Sequence, residues 1–162
     1  MRIAITGHRG LPAATEHLVE NAIRALLASH AAGDHLVGIS ALADGADQIF
    51  ARAILDAGGQ LEVIVPAARY RDGLPEPAHA SYDALLAAAA TVDRLDYVES
   101  TEEAHMAASR AMLSRTDLVF AVWDGKPARG YGGTADVVAE ASQRGIPVTV
   151  IWPEGATRDQ AA

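Results

Sequence analysis

The chain has 162 residues, 50% hydrophobic and 21% charged, the length and balance of one globular domain that can bury a core. Its net charge of −8 sets it against nucleic acid and anionic membrane unless basic side chains cluster. The nearest thing to a cluster, Arg69-Tyr70-Arg71, reads as a solvated loop. The absence of cysteine excludes disulfides and thiolate metal sites, and no apolar run is long enough for a membrane span. The first residues, interrupted by His8 and Arg9, do not form a secretory signal, so a cytoplasmic protein is expected.

Residues 2–6 read as a strand, closed by the turn-rich Gly7-His8-Arg9-Gly10-Leu11-Pro12. Over residues 15–29, Leu18, Val19, Ala22, Ile23, Leu26 and Leu27 recur at helical spacing. A strand at 35–40 leads to a helix at 44–57, ended by Gly58-Gly59. Residues 61–65 form a third strand before Pro66. The alanine-rich segment 81–90 predicts a helix, and 94–98 a short strand. Ser100, with Glu103 three residues on, has the capping-box pattern of a helix running to about 115. The apolar run 117–123 suits a strand buried on both faces. A helix at 133–144, closed by Gly145, and a strand at 146–152 complete the chain. This alternation predicts an α/β fold of the Rossmann-like, doubly wound kind, a mostly parallel sheet with helices on both faces. Ligands in such folds bind beyond the carboxyl ends of the strands, where chain order reverses.

Three strand-end loops are therefore the candidates. The strongest is Asp124-Gly125-Lys126-Pro127-Ala128-Arg129-Gly130-Tyr131-Gly132-Gly133-Thr134. Gly130, Gly132 and Gly133 let backbone N–H groups turn to a ligand and let it approach. The helix that follows adds its positive end, and Thr134 adds a hydroxyl, a set suited to phosphate. Asp136 and Glu140 share a face of that helix. They could serve ribose or hydrolysis, or Asp136 could simply complement the helix dipole. The first loop, with Gly7, His8 and Arg9, lacks the full dinucleotide fingerprint and could equally be a structural turn. In Ser40-Ala41-Leu42-Ala43-Asp44-Gly45-Ala46-Asp47, Asp44 could cap a helix and Asp47 favour its first turn. The functional alternative puts Ser40 and Gly45, with Asp47, beside a ligand. The six histidines show no metal-ligand spacing; Glu102 and His105 share a helix face, but no metal is expected, and no serine sits in a nucleophile elbow. No cofactor is called for.

Together these loops resemble the SLOG superfamily, the Rossmann-like proteins that include DprA/SMF and the LOG phosphoribohydrolases once labelled lysine decarboxylases. The resemblance rests on Thr6-Gly7-His8-Arg9, on Ser40 to Asp47, on Ser109-Arg110-Ala111-Met112 and, most specifically, on Gly132-Gly133-Thr134-Ala135-Asp136. It implies a nucleotide-binding domain over residues 1–153; residues 154–162 themselves read as a flexible tail. It implies a nucleotide-like ligand at the glycine turn and, in LOG enzymes, cleavage of the N-glycosidic bond of nucleoside 5′-monophosphates. There Arg110 and the amides of Gly132 to Thr134 would hold phosphate, and Asp136 or Glu140 would stabilise the oxocarbenium-like sugar. Where the LOG pattern has glutamate three residues after the threonine, this chain has Val137, and its Ala128-Arg129-Gly130 replaces the first proline-glycine pair. The resemblance therefore implies a nucleotide-binding ligand sensor, with the phosphoribohydrolase as the alternative. DNA is not an expected partner. A homodimer is expected, as in LOG-like relatives, with the small residues of 81–90 as one surface for close packing.

Overall fold

Six strands all run in parallel, in the order β4-β3-β2-β1-β5-β6. The computed structural model describes residues 1–30 and 35–158. Its elements are β1 (Arg2–Gly7), α1 (Ala13–His30), β2 (Val37–Ser40), α2 (Ala46–Asp56), β3 (Gln60–Ala67), α3 (His79–Ala88), β4 (Thr91–Tyr97), α4 (Glu102–Leu113), β5 (Leu118–Val122), α5 (Thr134–Gln143) and β6 (Val148–Ile151).

The period-2 alternation of β1 divides the core. Ile3 and Ile5 point to one face, where they pack with Val19 and Ile23 of α1, Phe50 and Ile54 of α2, and Phe120 of β5. Ala4 points to the other face, among Ile39, Ile64, Ala108 and Met112. There α4 lies over β3 and β1, and α5 over β1, β5 and β6. The central strands β1, β2 and β5 are buried nearly throughout, as expected of strands covered on both sides. After β1 the chain steps outward through β2, β3 and β4, then crosses back to β5 and β6 on the other side. The crevice between the β1 and β5 tips is thus the topological switch point.

Four expectations are corrected. First, α4 is capped by Thr101, not Ser100. Thr101 has the extended backbone a cap needs (φ −105°, ψ 164°), and its hydroxyl accepts from the Ala104 N–H at 3.1 Å. Ser100 Oγ lies instead 2.7 Å from His105 Nε2. Second, α2 is capped by Gly45, because the Asp44 carboxylate is taken by Arg9 Nε (2.8 Å) and the Gly10 N–H (2.9 Å). Third, β4 starts at Thr91, in register with Glu62. As an edge strand it is only partly buried, so its start lacks an apolar signal. Fourth, residues 154–158 are tied down. Thr15 Oγ1 donates to the Thr157 carbonyl (2.8 Å) and accepts from its N–H (2.9 Å); residues 159–162 lie outside the described residues.

Candidate functional site

The β1 and β5 tips are joined at Gly7, whose register partner is Val122, and by the His8 N–H, which donates to the Val122 carbonyl at 3.1 Å. A cleft of about 330 Å³ opens above this seam, within the size range of small-ligand sites. Its β5 side is built from Arg129, the Gly130 to Thr134 loop and Arg158. Its β2–β3 side is built from Ala41, Ala43, Asp47, Pro66 and Tyr70. His8 and Arg9 form the floor between them, and α4 closes the cleft with His105, Ser109 and Met112, spaced at i, i+4 and i+7 on one helix face.

On the β5 side the glycines shape the loop rather than supply its donors. Gly132 has φ +84°, a region that favours glycine, and a Cβ there would stand 3.0 Å from the Glu102 carbonyl oxygen. The Gly132 N–H is taken by Asp136 Oδ2 (2.9 Å) and the Gly133 N–H by the Gly130 carbonyl (3.2 Å). The Thr134 and Ala135 N–H groups, the first two of α5, have no hydrogen-bond partner among the described residues. Of the expected donors only Thr134, which lines the cleft, keeps an unpartnered N–H; the neighbouring Ala135 N–H is unpartnered as well.

Behind them sits His8, only 3% exposed. Its Nδ1 lies 3.4 Å from Thr134 Oγ1. Its Nε2 lies 3.2 Å from Asp124 Oδ1 and accepts from the Asp124 N–H at 3.1 Å. Burial, then the Arg158 charge, push its pKa below the ordinary histidine value against the pull of Asp124; Arg129 also lowers it. A ring uncharged at neutral pH therefore ties the Thr134 hydroxyl to the β5 tip.

The opposite side is organised around Asp47, 8% exposed. Its Oδ2 accepts from the Ala43 N–H at 3.2 Å. Burial pushes its pKa up to about 7, opposed by the Ala43 N–H and the Arg9 charge. Tyr70 is buried beside it, and burial first, then the Asp47 charge, raise the phenol pKa well above its usual value. The Tyr70 ring meets His105 edge-on, with centroids 5.6 Å apart. The His105 pKa is lowered, by burial and then by Arg9.

Of the residues singled out from sequence, Gly7, His8, Arg9, Asp47, Gly130, Gly132, Gly133 and Thr134 converge on the cleft. Ser40 and Gly45 do not line it but support it. Ser40 Oγ accepts from the Leu42 N–H at 3.0 Å. Gly45 (φ +83°) lets α2 press against the first loop, where a Cβ would stand 2.7 Å from the His8 carbonyl oxygen. Arg110, Asp136 and Glu140 also lie outside the lining. Arg110 follows Ser109 by one residue, roughly a 100° rotation, and pairs with Glu140 at 3.0 Å between α4 and α5. Arg144 holds the same carboxylate at 2.9 Å. Asp136 closes the glycine turn. Val137, at the position of the LOG glutamate, is 2% exposed in a core cluster with Met106, Leu113 and Val119.

Sequence reasoning missed Pro66, Tyr70, His105, Ser109, Met112 and Arg158. The spacing of the three α4 residues was the available signal. Tyr70 was hidden between two arginines and Arg158 in a segment expected to be loose. Among the described residues, no group of three or more His, Asp or Glu side chains could hold a metal ion, and no helix is long and apolar enough to cross a membrane.

No family model matches the chain, and no curated protein matches it. Solved structures do. The DNA processing protein A (DprA) of Streptococcus pneumoniae superposes with a TM-score of 0.66 at 20% identity, covering 95% of this chain and 51% of that one. DprA of Helicobacter pylori, described for its single-stranded DNA binding mode, gives 0.64 at 17% identity over 97% of this chain and 68% of that one. The molybdenum cofactor binding protein of the phototrophic bacterium Rippkaea orientalis gives 0.58 at 15% identity, over 92% and 74%. The chain spans about half of the pneumococcal DprA chain. At these identities the likeness is one of fold: the chain has the Rossmann-like, all-parallel α/β fold of these structures.

Proposed function

We propose that this SLOG-type fold serves as a cytoplasmic ligand-binding module for a nucleotide or nucleotide derivative. The observation that carries the reading is the β5 side of the cleft. Two unpartnered N–H groups and a histidine-held hydroxyl stand beside Arg129 and Arg158 at the switch point of the sheet. Backbone donors, a helix start and nearby guanidinium groups form the chemistry of a phosphate site. The cleft continues to an apolar far side with one carboxyl group, so it has room for more than an anion.

Binding is favoured over hydrolysis because no carboxylate of α5 lines the cleft. Asp136 is spent on the loop and Glu140 on two arginines. A DNA-binding role like that of the H. pylori protein is opposed by the net charge of −8. The chain is taken as a homodimer, consistent with the small exposed side chains of α3, and sedimentation at micromolar protein showing a 17 kDa species alone would end that part of the reading.

The test is thermal denaturation with a panel of nucleoside monophosphates and ribose 5-phosphate, with a single-stranded oligonucleotide as comparison. A ligand at 100 times its Kd raises stability by about 2.7 kcal/mol. The expected result is a rise in Tm with monophosphates and none with the oligonucleotide. A flat response to every monophosphate rejects the site.

A further inference from the structure

The far side of the cleft differs in kind from the phosphate side, and the difference selects a ligand. Its walls are mostly apolar, Ala41, Ala43, Pro66, the Tyr70 ring and Met112 of α4, with His105 and Ser109 of α4 beside them and Arg9 at the floor. Within them stands one carboxyl group, Asp47, on the first turn of α2. One of its oxygens is fixed by the Ala43 N–H. The other has no hydrogen-bond partner among the described residues. Since no inaccessible side-chain oxygen or nitrogen among them goes unpaired, that oxygen has accessible surface, and Asp47 lines the cleft. Here, then, is a slot for a flat, largely apolar body with one acceptor at its wall.

The sheet order sets its distance from the anion side. The β5 tip carries the Thr134 loop, β1 lies next, and β2 carries the Asp47 loop. Two strand spacings make roughly 10 Å, the scale that separates the 5′-phosphate of a nucleotide from its base. We infer that Asp47 is a specificity-determining residue that reads the donor edge of a purine, selecting guanine nucleotides by their ring N1–H and exocyclic amine. This rests on the nucleotide reading of the cleft and adds which base it takes.

The chemistry discriminates among purines. An ionised carboxylate only accepts hydrogen bonds, and guanine's two adjacent donors can converge on the one open Asp47 oxygen. Inosine lacks the amine. Xanthine replaces it with a carbonyl, which sets oxygen against oxygen. Adenine presents a ring acceptor at N1. A site built to bond a donor rejects the analogue without it, because its own polar group is left unpaired. Burial holds the Asp47 pKa near 7, so charge-assisted bonds from a ligand have an ionised form to stabilise.

The experiment is calorimetric titration of the full chain at pH 8 with GMP, IMP, XMP, AMP and ribose 5-phosphate. GMP is expected to bind about tenfold or more tightly than IMP, and XMP and AMP more weakly still. Asp47→Asn keeps an oxygen for the Ala43 N–H and turns an NH₂ toward the cleft. It should weaken GMP at least tenfold, raise XMP above GMP, and leave ribose 5-phosphate within twofold of the unmodified protein. If ribose 5-phosphate binds and the four purines rank equally, or AMP ranks first, the role of Asp47 is overturned and the phosphate side stands. If neither ribose 5-phosphate nor any purine binds, both readings fall. The ranking by the unmodified protein decides the matter even if the variant does not fold.

Discussion

The two sides of the cleft achieve polarity by different means. The β5 side is made of backbone: a turn held by Gly132, two α5 amides and one hydroxyl, with arginines at its rim. The β2–β3 side is made of side chains brought together from α2, from the segment after β3 and from α4. Backbone donors fixed by a turn cost little to organise, because the covalent chain already places them. A buried carboxyl beside a buried phenol carries a desolvation penalty that the fold must cover. The first side tolerates any phosphorylated ligand; the second has reason to discriminate. Gly7 joins them, since a Cβ there would stand 2.5 Å from Ala46 Cβ of α2 and 2.8 Å from Val122 Cβ of β5.

The largest effect should come from breaking that seam. Gly7→Ala forces a methyl group between α2 and β5, and overpacking of this kind costs about 1–3 kcal/mol. At about 2–4 °C per kcal/mol for a chain of this size, Tm should fall by several degrees in a thermal scan, and GMP and ribose 5-phosphate should weaken together. A variant as stable as the parent would show that the two loops can separate without loss.

Next comes the anion side alone. Thr134→Val keeps the shape and removes the hydroxyl. A hydrogen bond to a charged group is worth about 1.5–3 kcal/mol, so ribose 5-phosphate should bind roughly ten- to a hundredfold more weakly by calorimetry, and the ranking of the bases should be unchanged. Unaltered affinity for ribose 5-phosphate would place the phosphate elsewhere.

This contrast also explains what could be read from the sequence. The alternation of apolar runs and helical stripes carries its own period, so the order of elements and the parallel sheet were legible. So was the glycine loop, because glycines at a strand-to-helix junction have few other uses. Asp47 was visible as an acid in a helix first turn, a place where acids are common for another reason. Tyr70 and His105 were not legible as site residues. They meet only because the chain after β3 folds back beneath α4, and tertiary convergence of that kind leaves no local period. The same blindness misplaced Arg110, which sits one residue from the cleft-facing Ser109. A single step along a helix changes the face, and sequence similarity does not resolve it.

The third effect is on pH dependence, and the two sides oppose each other. Asp47 has a folded-state pKa of about 7, above the ordinary aspartate value. Between pH ~4 and ~7 the folded state thus holds a proton that the unfolded chain releases, and stability falls as pH rises through that window. His8 is shifted downward. Its unfolded form takes up a proton first, so stability falls as pH drops below about 6.5. Denaturant titrations from pH 5 to 9 should find that Asp47→Asn loses less stability than the parent as pH rises from 5 to about 7, with its acid limb retained. Equal slopes between pH 5 and about 7 in the two proteins would mean that the Asp47 carboxyl is better solvated than its surroundings imply.

The smallest effect concerns the face where family resemblance put the chemistry. Arg110 and Glu140 are bonded to each other, with Arg144 on the same carboxylate, and neither lines the cleft. Exposed pairs of this kind contribute little to stability. Arg110→Ala is therefore expected to leave Tm nearly unchanged and to alter affinity for GMP and ribose 5-phosphate by less than twofold. A phosphate contact at Arg110 would instead lower affinity directly, because such a contact exists in the ground state. Incubation with nucleoside monophosphates should release neither base nor ribose 5-phosphate, since Val137 fills the position of the LOG glutamate with a core side chain. A carboxylate that acts in the transition state lowers rate rather than binding when removed. Robust turnover, abolished by Glu140→Gln with GMP binding intact, would therefore show that α5 rotates or unwinds enough to bring Glu140 to the ligand.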